Sequence, residues 1–167
     1  MDARLSPIFT RRSIREFTAE PVSEQDIQAL LEAAMAAPSA RNVKPWHFIV
    51  VTRRETLDRL ARAHQFSDPL ERAPLGIVVC GSPAESEYWV QDASAATENL
   101  LLAASMLGLG AVWMGIHPKP DREAYVRDVL GIPPTIIPLN LIAVGHPAEE
   151  KAPRTQFDPS RVHYERW

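Results

Sequence analysis

The chain has 167 residues, room for one ordinary domain with one principal core. Apolar residues make up 46% and charged residues 23%, which excludes intrinsic disorder and long coiled coils. The net charge of −3, from 18 basic against 21 acidic residues, removes the broad positive field of a general nucleic-acid binder. Any basic function must therefore be a local cluster.

In chain order, a first helix is expected to end at Arg11-Arg12-Ser13-Ile14-Arg15. Ser23-Glu24-Gln25-Asp26 has the form of a capping box, and Ile27, Leu30, Leu31, Ala34 and Met35 follow at helical spacing, predicting an amphipathic helix stopped before Pro38. Trp46 to Val51 is a short apolar, β-branched run and predicts a strand. Thr52-Arg53-Arg54-Glu55 should then cap a helix carrying Leu57, Leu60 and Ala61 on one face. Leu75 to Cys80 lacks polar alternation, as expected of a strand covered on both faces, which makes Cys80 a buried small hydrophobe. The uncharged stretch Asn99 to Pro118 is long enough to cross a bilayer, but Asn99, Ser105, Gly108 and Gly110 interrupt it. It predicts instead a helix from Tyr88 to Leu107, closed by Gly108, and a strand from Ala111 to Ile116. A helix from Asp121 to Leu130, closed by Gly131 and Pro133, and a last strand from Ile137 to Val144 complete the order. Residues 145–167 carry no periodicity, yet Phe157, Val162, Tyr164 and Trp167 predict a tail pinned to some surface.

A single cysteine, Cys80, excludes an intramolecular disulfide and a multi-thiolate metal site, and points to a reducing compartment. The N-terminus runs from Met1-Asp2-Ala3-Arg4 into polar sequence with no apolar leader segment, so a cytoplasmic location is expected. His47, His64, His117, His146 and His163 lack metal-ligand spacing, and no nucleophile elbow, zinc-protease helix or Walker loop is present. No metal and no protein nucleophile are expected.

Two segments carry chemistry. Arg11-Arg12-Ser13-Ile14-Arg15 puts three guanidinium groups and a hydroxyl within five residues, a set suited to a phosphate dianion, although taken alone it also fits a solvated basic turn. Pro38-Ser39-Ala40-Arg41-Asn42-Val43-Lys44-Pro45-Trp46-His47-Phe48 offers Ser and Asn donors on a Pro-fixed backbone, while Trp46 reads as packing. Gly108-Leu109-Gly110 follows a helix and opens a strand, the reverse of a dinucleotide fingerprint, whereas Gly115 at a strand end would let a flat ligand approach the backbone.

These segments resemble the nitroreductase-like flavoproteins: residues 11–17, residues 38–48, and Asp92 to Ala104 running on to Gly108-Leu109-Gly110 and Trp113-Met114-Gly115. The resemblance covers nearly the whole chain. It implies a single domain over 1–167 with an α+β fold, a three-layer α/β/α sandwich around a mixed central sheet. It also implies an obligate homodimer with FMN at the interface and residues 145–167 as an exchanged C-terminal arm. Carried over, it places Arg11, Arg12, Ser13, Arg15 and Arg154 at the FMN phosphate and ribityl end. Pro38, Ser39, Ala40 and Asn42 from the partner would reach the isoalloxazine, with Gln65 at its pyrimidine edge and Trp113, Met114 and Gly115 along its other side. The implied activity is FMN-dependent NAD(P)H oxidoreduction, a ping-pong hydride transfer through flavin N5 to nitroaromatics, quinones or related acceptors, with NADH or NADPH as donor. A non-catalytic FMN-binding or flavin-storage protein needs the same cradle. No long insertion interrupts His64 to Pro74 or Ser82 to Glu87, so no substrate lid is expected.

Overall fold

A computed structural model describes residues 2–167. Five helices and four strands follow one another as α1 (Ser6–Thr10), α2 (Glu24–Met35), β1 (Trp46–Val51), α3 (Arg54–Leu60), β2 (Leu75–Gly81), α4 (Trp89–Met106), β3 (Gly110–Gly115), α5 (Pro120–Leu130) and β4 (Ile137–Gly145). The strands form one sheet in the order β1-β2-β4-β3. Helices α2 and α4 bury Leu30, Ala34, Ala93, Ala96, Leu100 and Ala104 against one face of it, over Ile77, Val79, Ile142 and Val144. On the other face Leu57 and Leu60 of α3 and Val126 of α5 pack on Val78, Cys80, Leu141 and Ala143. The expected three layers are thus present, and β2 is apolar throughout because consecutive side chains enter two different cores.

The sheet is not mixed. Every neighbouring pair of strands is antiparallel. The α4 crossover does connect two strands of the same direction, β2 and β3, but β4 lies between them and pairs antiparallel with both. Among the described residues the one parallel pairing is an isolated bridge between Ser13 and Ala111.

Local signals mostly hold. Ser23 accepts from the Asp26 N–H at 3.0 Å and caps α2. Gly108, at φ 75°, ends α4 in a Schellman arrangement: the Leu109 N–H donates to Ala104 O at 2.8 Å and the Gly108 N–H to Ser105 O at 3.3 Å. Two details differ. Met35 is exposed, because the buried stripe of α2 narrows to Leu30 and Ala34. Thr52 caps nothing; Arg53 is the N-cap without a side-chain bond, and Arg54 ties α3 down instead by donating to Ala73 O, Leu70 O and Asp58. Between β4 and its end the tail divides. Residues 146–154 lie along residues 9–18 of the same chain, whereas Phe157, Tyr164 and Trp167 are 79%, 83% and 99% exposed. No helix among the described residues is long and apolar enough to cross a membrane.

Polar groups inside the α4 layer stabilise its alignment on the sheet. Asn140 Nδ2 donates to Thr97 Oγ1 at 3.0 Å, and that hydroxyl donates to Ala93 O at 2.8 Å, all three groups being fully buried. Thr97→Val leaves the Asn140 amide without its acceptor in a dry site and should lower unfolding free energy by about 1–3 kcal/mol, measured by urea denaturation. Burial pushes the Cys80 thiol up to about 12, so roughly one thiol in ten thousand is ionised at pH 8. A disulfide-exchange reagent should leave Cys80 unmodified in the native protein and react at once after unfolding.

Candidate functional site

The arginine segment leaves α1 at Arg11 and runs extended beside the start of β3, with the Ile14 N–H donating to Ala111 O at 3.0 Å. Ile14 and Phe17 turn inward and are buried, which keeps the polar side chains between them at the surface. The approach requires Gly110: a Cβ there would come within 2.6 Å of Ile14 Cγ2. Arg11 Nε lies 3.3 Å from Glu98 Oε1 of α4. Arg12 Nη1 donates to Ala152 O and so holds the tail, and the Arg154 N–H donates to Phe9 O at 3.1 Å, which ties the Arg154 backbone to the end of α1. Lys151 Nζ donates to Ser13 O at 2.7 Å and to Glu149 Oε1 at 2.8 Å, and the same Glu149 oxygen accepts from the Arg15 N–H at 2.6 Å. These contacts, the Lys151 bond above all, hold the Glu149 carboxyl below its ordinary range. The Ser13 hydroxyl and the Arg15 guanidinium hydrogen-bond to nothing among the described residues.

Residues 38–44 form an irregular loop over the N-terminal end of α4. The Asn42 N–H donates to Ser39 O at 2.9 Å, the Lys44 N–H to Ser39 Oγ at 3.0 Å, and the Ala40 N–H to Asp92 Oδ1 at 3.0 Å. Arg41, Asn42 and Lys44 all have positive φ. Trp46 is buried in the core at the start of β1, the packing role that its place in the sequence predicts. The loop meets α4 at Asp92 and the arginine segment meets it at Glu98, six residues and about 9 Å further along the helix.

At the far end of β3, Trp113 is 36% exposed and a Cβ added at Gly115 would meet nothing within 4 Å. Met114 points the other way, into the core with Val112, Ile116 and Val126, so only its backbone is available beside Trp113 and Gly115. Arg122 of α5 donates through Nη1 to Gly115 O at 3.0 Å. Gln65 is exposed on the loop after α3, between His64 and Phe66. Burial, assisted by the positive charge of Arg122, holds the His64 imidazole below its ordinary value.

One chain therefore carries Arg11, Arg12, Ser13 and Arg15 on one extended segment with the Arg154 backbone tied to Phe9 just before it, while the loop with Pro38, Ser39, Ala40 and Asn42 meets α4 at Asp92. Sequence reasoning missed Lys151 and Glu149, whose signal was a second basic residue three positions before Arg154. It also missed Asp92, a lone carboxylate in an apolar helix start. No grouping of three or more potential metal ligands occurs among the described residues.

The model of the Nitroreductase family matches residues 8–65 and 63–146. The chain belongs to the nitroreductase family. A relative from Archaeoglobus fulgidus with the provisional name NADH dehydrogenase/NAD(P)H nitroreductase is 46% identical over 100% of both chains. A crystal structure from Parabacteroides distasonis with the same provisional name superposes at a TM-score of 0.96, with 42% identity and full coverage of both chains. A provisionally named nitroreductase from Desulfovibrio desulfuricans, solved in complex with FMN, matches at a TM-score of 0.84 and 31% identity, covering 100% of this chain and 99% of that one.

Gly110→Ala tests whether the arginine segment depends on its close approach to β3. The substitution should cost about 1–3 kcal/mol through overpacking against Ile14. It should also speed native-state tryptic cleavage at Arg11, Arg12 and Arg15 several-fold, followed by mass spectrometry.

Proposed function

We propose that this chain is an FMN-dependent NAD(P)H oxidoreductase of the nitroreductase family, working as a homodimer. The observation that carries the reading is the basic segment at the start of β3, where, among the described residues, the Ser13 hydroxyl and Arg15 guanidinium have no hydrogen-bond partner and the Arg11 guanidinium pairs with Glu98. Three hydrogen-bond donors of that kind, with Arg154 tethered alongside, fit a phosphate dianion. Gly115 fits the other end of the same ligand, since its empty space and the exposed Trp113 face leave room for a flat ring against the backbone.

Bound FMN would supply hydride chemistry, taken from NADH or NADPH and passed in a second half-reaction to a nitroaromatic, quinone or related acceptor. The residues of this chain bind and orient. Arg11, Ser13, Arg15 and Arg154 neutralise and fix the phosphate, while Arg12 holds the tail that carries Arg154. Arg122 fixes the carbonyl of Gly115, so that the end of β3 keeps one shape when a ring lies on it. Gln65 offers an amide from the loop beside His64. Pro38, Ser39, Ala40 and Asn42 complete the site of the partner subunit.

Two observations support the dimer. The aromatic residues of the tail beyond Arg154 are a costly set to leave in water, since burying a large aromatic side chain is worth roughly 1.5–3 kcal/mol. The outer edge of β1 is unpaired, and a groove of about 420 Å³ runs along it, lined by Ile49, Val50, Val51, Thr52 and Leu130. A partner's arm could add a strand there. On this reading residues 1–167 act as one unit, with 145–167 as the exchanged arm.

Replacing Arg11 and Arg15 together by Ala should give folded, largely colourless protein. Two charge-assisted contacts contribute about 3–6 kcal/mol, so FMN should bind at least two decades more weakly, read by quenching of flavin fluorescence. Anaerobic NADH or NADPH should bleach the flavin absorption of the wild-type protein. Full flavin occupancy in the double variant would place the phosphate elsewhere, and a flavin that neither nucleotide reduces would make this a storage protein.

A further inference from the structure

Asp92 lies in the first turn of α4, 5% exposed, beside the buried Trp89, Ala93 and Ala96. Its partners are two uncharged donors, the Ala40 N–H at 3.0 Å on Oδ1 and the Ser86 hydroxyl at 3.3 Å on Oδ2. Ser86 Oγ in turn accepts from the Tyr88 N–H at 3.1 Å, which fixes the turn leading into the helix. A carboxylate taken out of water is tolerated only when it is hydrogen-bonded, so this pair of donors is held firmly where Asp92 needs them. One of those donors is backbone of the 38–44 loop.

That loop is unusual in its own right. Arg41, Asn42 and Lys44 sit at φ 52°, 56° and 58°, a region that non-glycine residues keep only when their surroundings leave no alternative. Within the loop, Ser39 closes the turn through the Lys44 N–H, but that bond moves with the loop and cannot fix it to the fold. The ion pair of Arg41 with Glu87, at 3.4 Å, is exposed on both sides and is worth little. The Asp92–Ala40 bond, part-buried and made by a buried carboxylate, ties the loop to α4.

We propose that Asp92 is the positioning residue of the 38–44 loop, holding its left-handed backbone in the shape that presents Ser39 and Asn42 to the flavin of the partner subunit. The consequence for flavin rests on the function proposed above; the anchoring does not. Ser86 is its auxiliary, orienting the carboxylate so that Oδ1 faces Ala40. The role is geometric. An amide at position 92 can still accept from the Ala40 N–H and donate to Ser86 Oγ, which has a second lone pair free, whereas a methyl group can do neither.

The test uses the full chain carrying Asp92→Ala, Asp92→Asn or Ser86→Ala, with two measurements. Amide hydrogen exchange at Ala40 is followed by NMR in flavin-free protein, and the FMN dissociation constant is taken from fluorescence quenching. In Asp92→Ala, exchange at Ala40 should accelerate about tenfold and FMN should bind roughly tenfold more weakly, the equivalent of losing one hydrogen bond. Asp92→Asn should stay within about threefold of wild type on both measures. Ser86→Ala should lie between them, and it carries the test should Asp92→Ala fail to fold. Unchanged Ala40 exchange in Asp92→Ala or Ser86→Ala would overturn the anchor, and equal losses in the Asn and Ala variants would overturn its geometric basis. Wild-type protein that binds no FMN would defeat the flavin reading and leave the Ala40 exchange comparison to decide the anchor.

Discussion

The contact on which the site depends is the passage of Ser13 and Ile14 across the start of β3. Arg11 to Arg15 carries charges that would otherwise drift apart in water. Their assembly needs a backbone held at close range, which the Ile14–Ala111 hydrogen bond and the bare Cα of Gly110 provide. Because Ile14 and Phe17 are buried, residues between and before them are forced outward, and the side chains that emerge are Arg11, Arg12, Ser13 and Arg15, with Glu16 as the one anion among them. Burial of two apolar residues thus becomes presentation of a polar cluster, with the sheet as the rigid support.

The tail is bound into the same cluster from the other side. Lys151 reaches the carbonyl of Ser13, Glu149 reaches the N–H of Arg15, and Arg12 reaches the carbonyl of Ala152. Glu149 deserves its place through charge balance. Basic residues along one segment and the tail beside it repel one another, and a carboxylate shared between Lys151 and the backbone of Arg15 neutralises Lys151 while leaving the guanidinium of Arg15 without a partner among the described residues. Arg72 extends the same logic, pairing with Glu16 at 3.2 Å and Asp68 at 2.9 Å. Ordering of residues 149–154 and ordering of the cationic segment are therefore one event.

Helices and strands were legible in the sequence to within a residue or two, because each carries a burial period and a terminator. Gly108 closes α4 and Ser23 opens α2 as their residue types require. Sheet order was not legible. Unbroken apolar runs report that both faces of a strand are covered and are silent about which strand lies alongside, so the insertion of β4 between β2 and β3 left no mark. The inward turn of Met114 was legible and went unread: two-residue alternation sets it with Val112, opposite Trp113 and Gly115. The roles of Arg12, Lys151 and Asp92 lay beyond the sequence for a different reason. Each contacts a backbone atom, Ala152 O, Ser13 O or Ala40 N–H, and backbone atoms have no letter of their own.

The arginine segment and the 38–44 loop share one helix, and this limits how a site using both can be built. Glu98 of α4 steadies Arg11 and Asp92 of α4 steadies the 38–44 loop, yet the two stand about 9 Å apart along the axis and point in different directions around it. No side-chain rotation closes that gap within one chain. In the proposed homodimer, the loop of one subunit would meet the cations of the other without either leaving its support. The same helix then orders two sites, one through each of its carboxylates. The rigid length of α4 between Asp92 and Glu98, more than any side-chain rotation, sets the distance between arginine segment and loop within each chain.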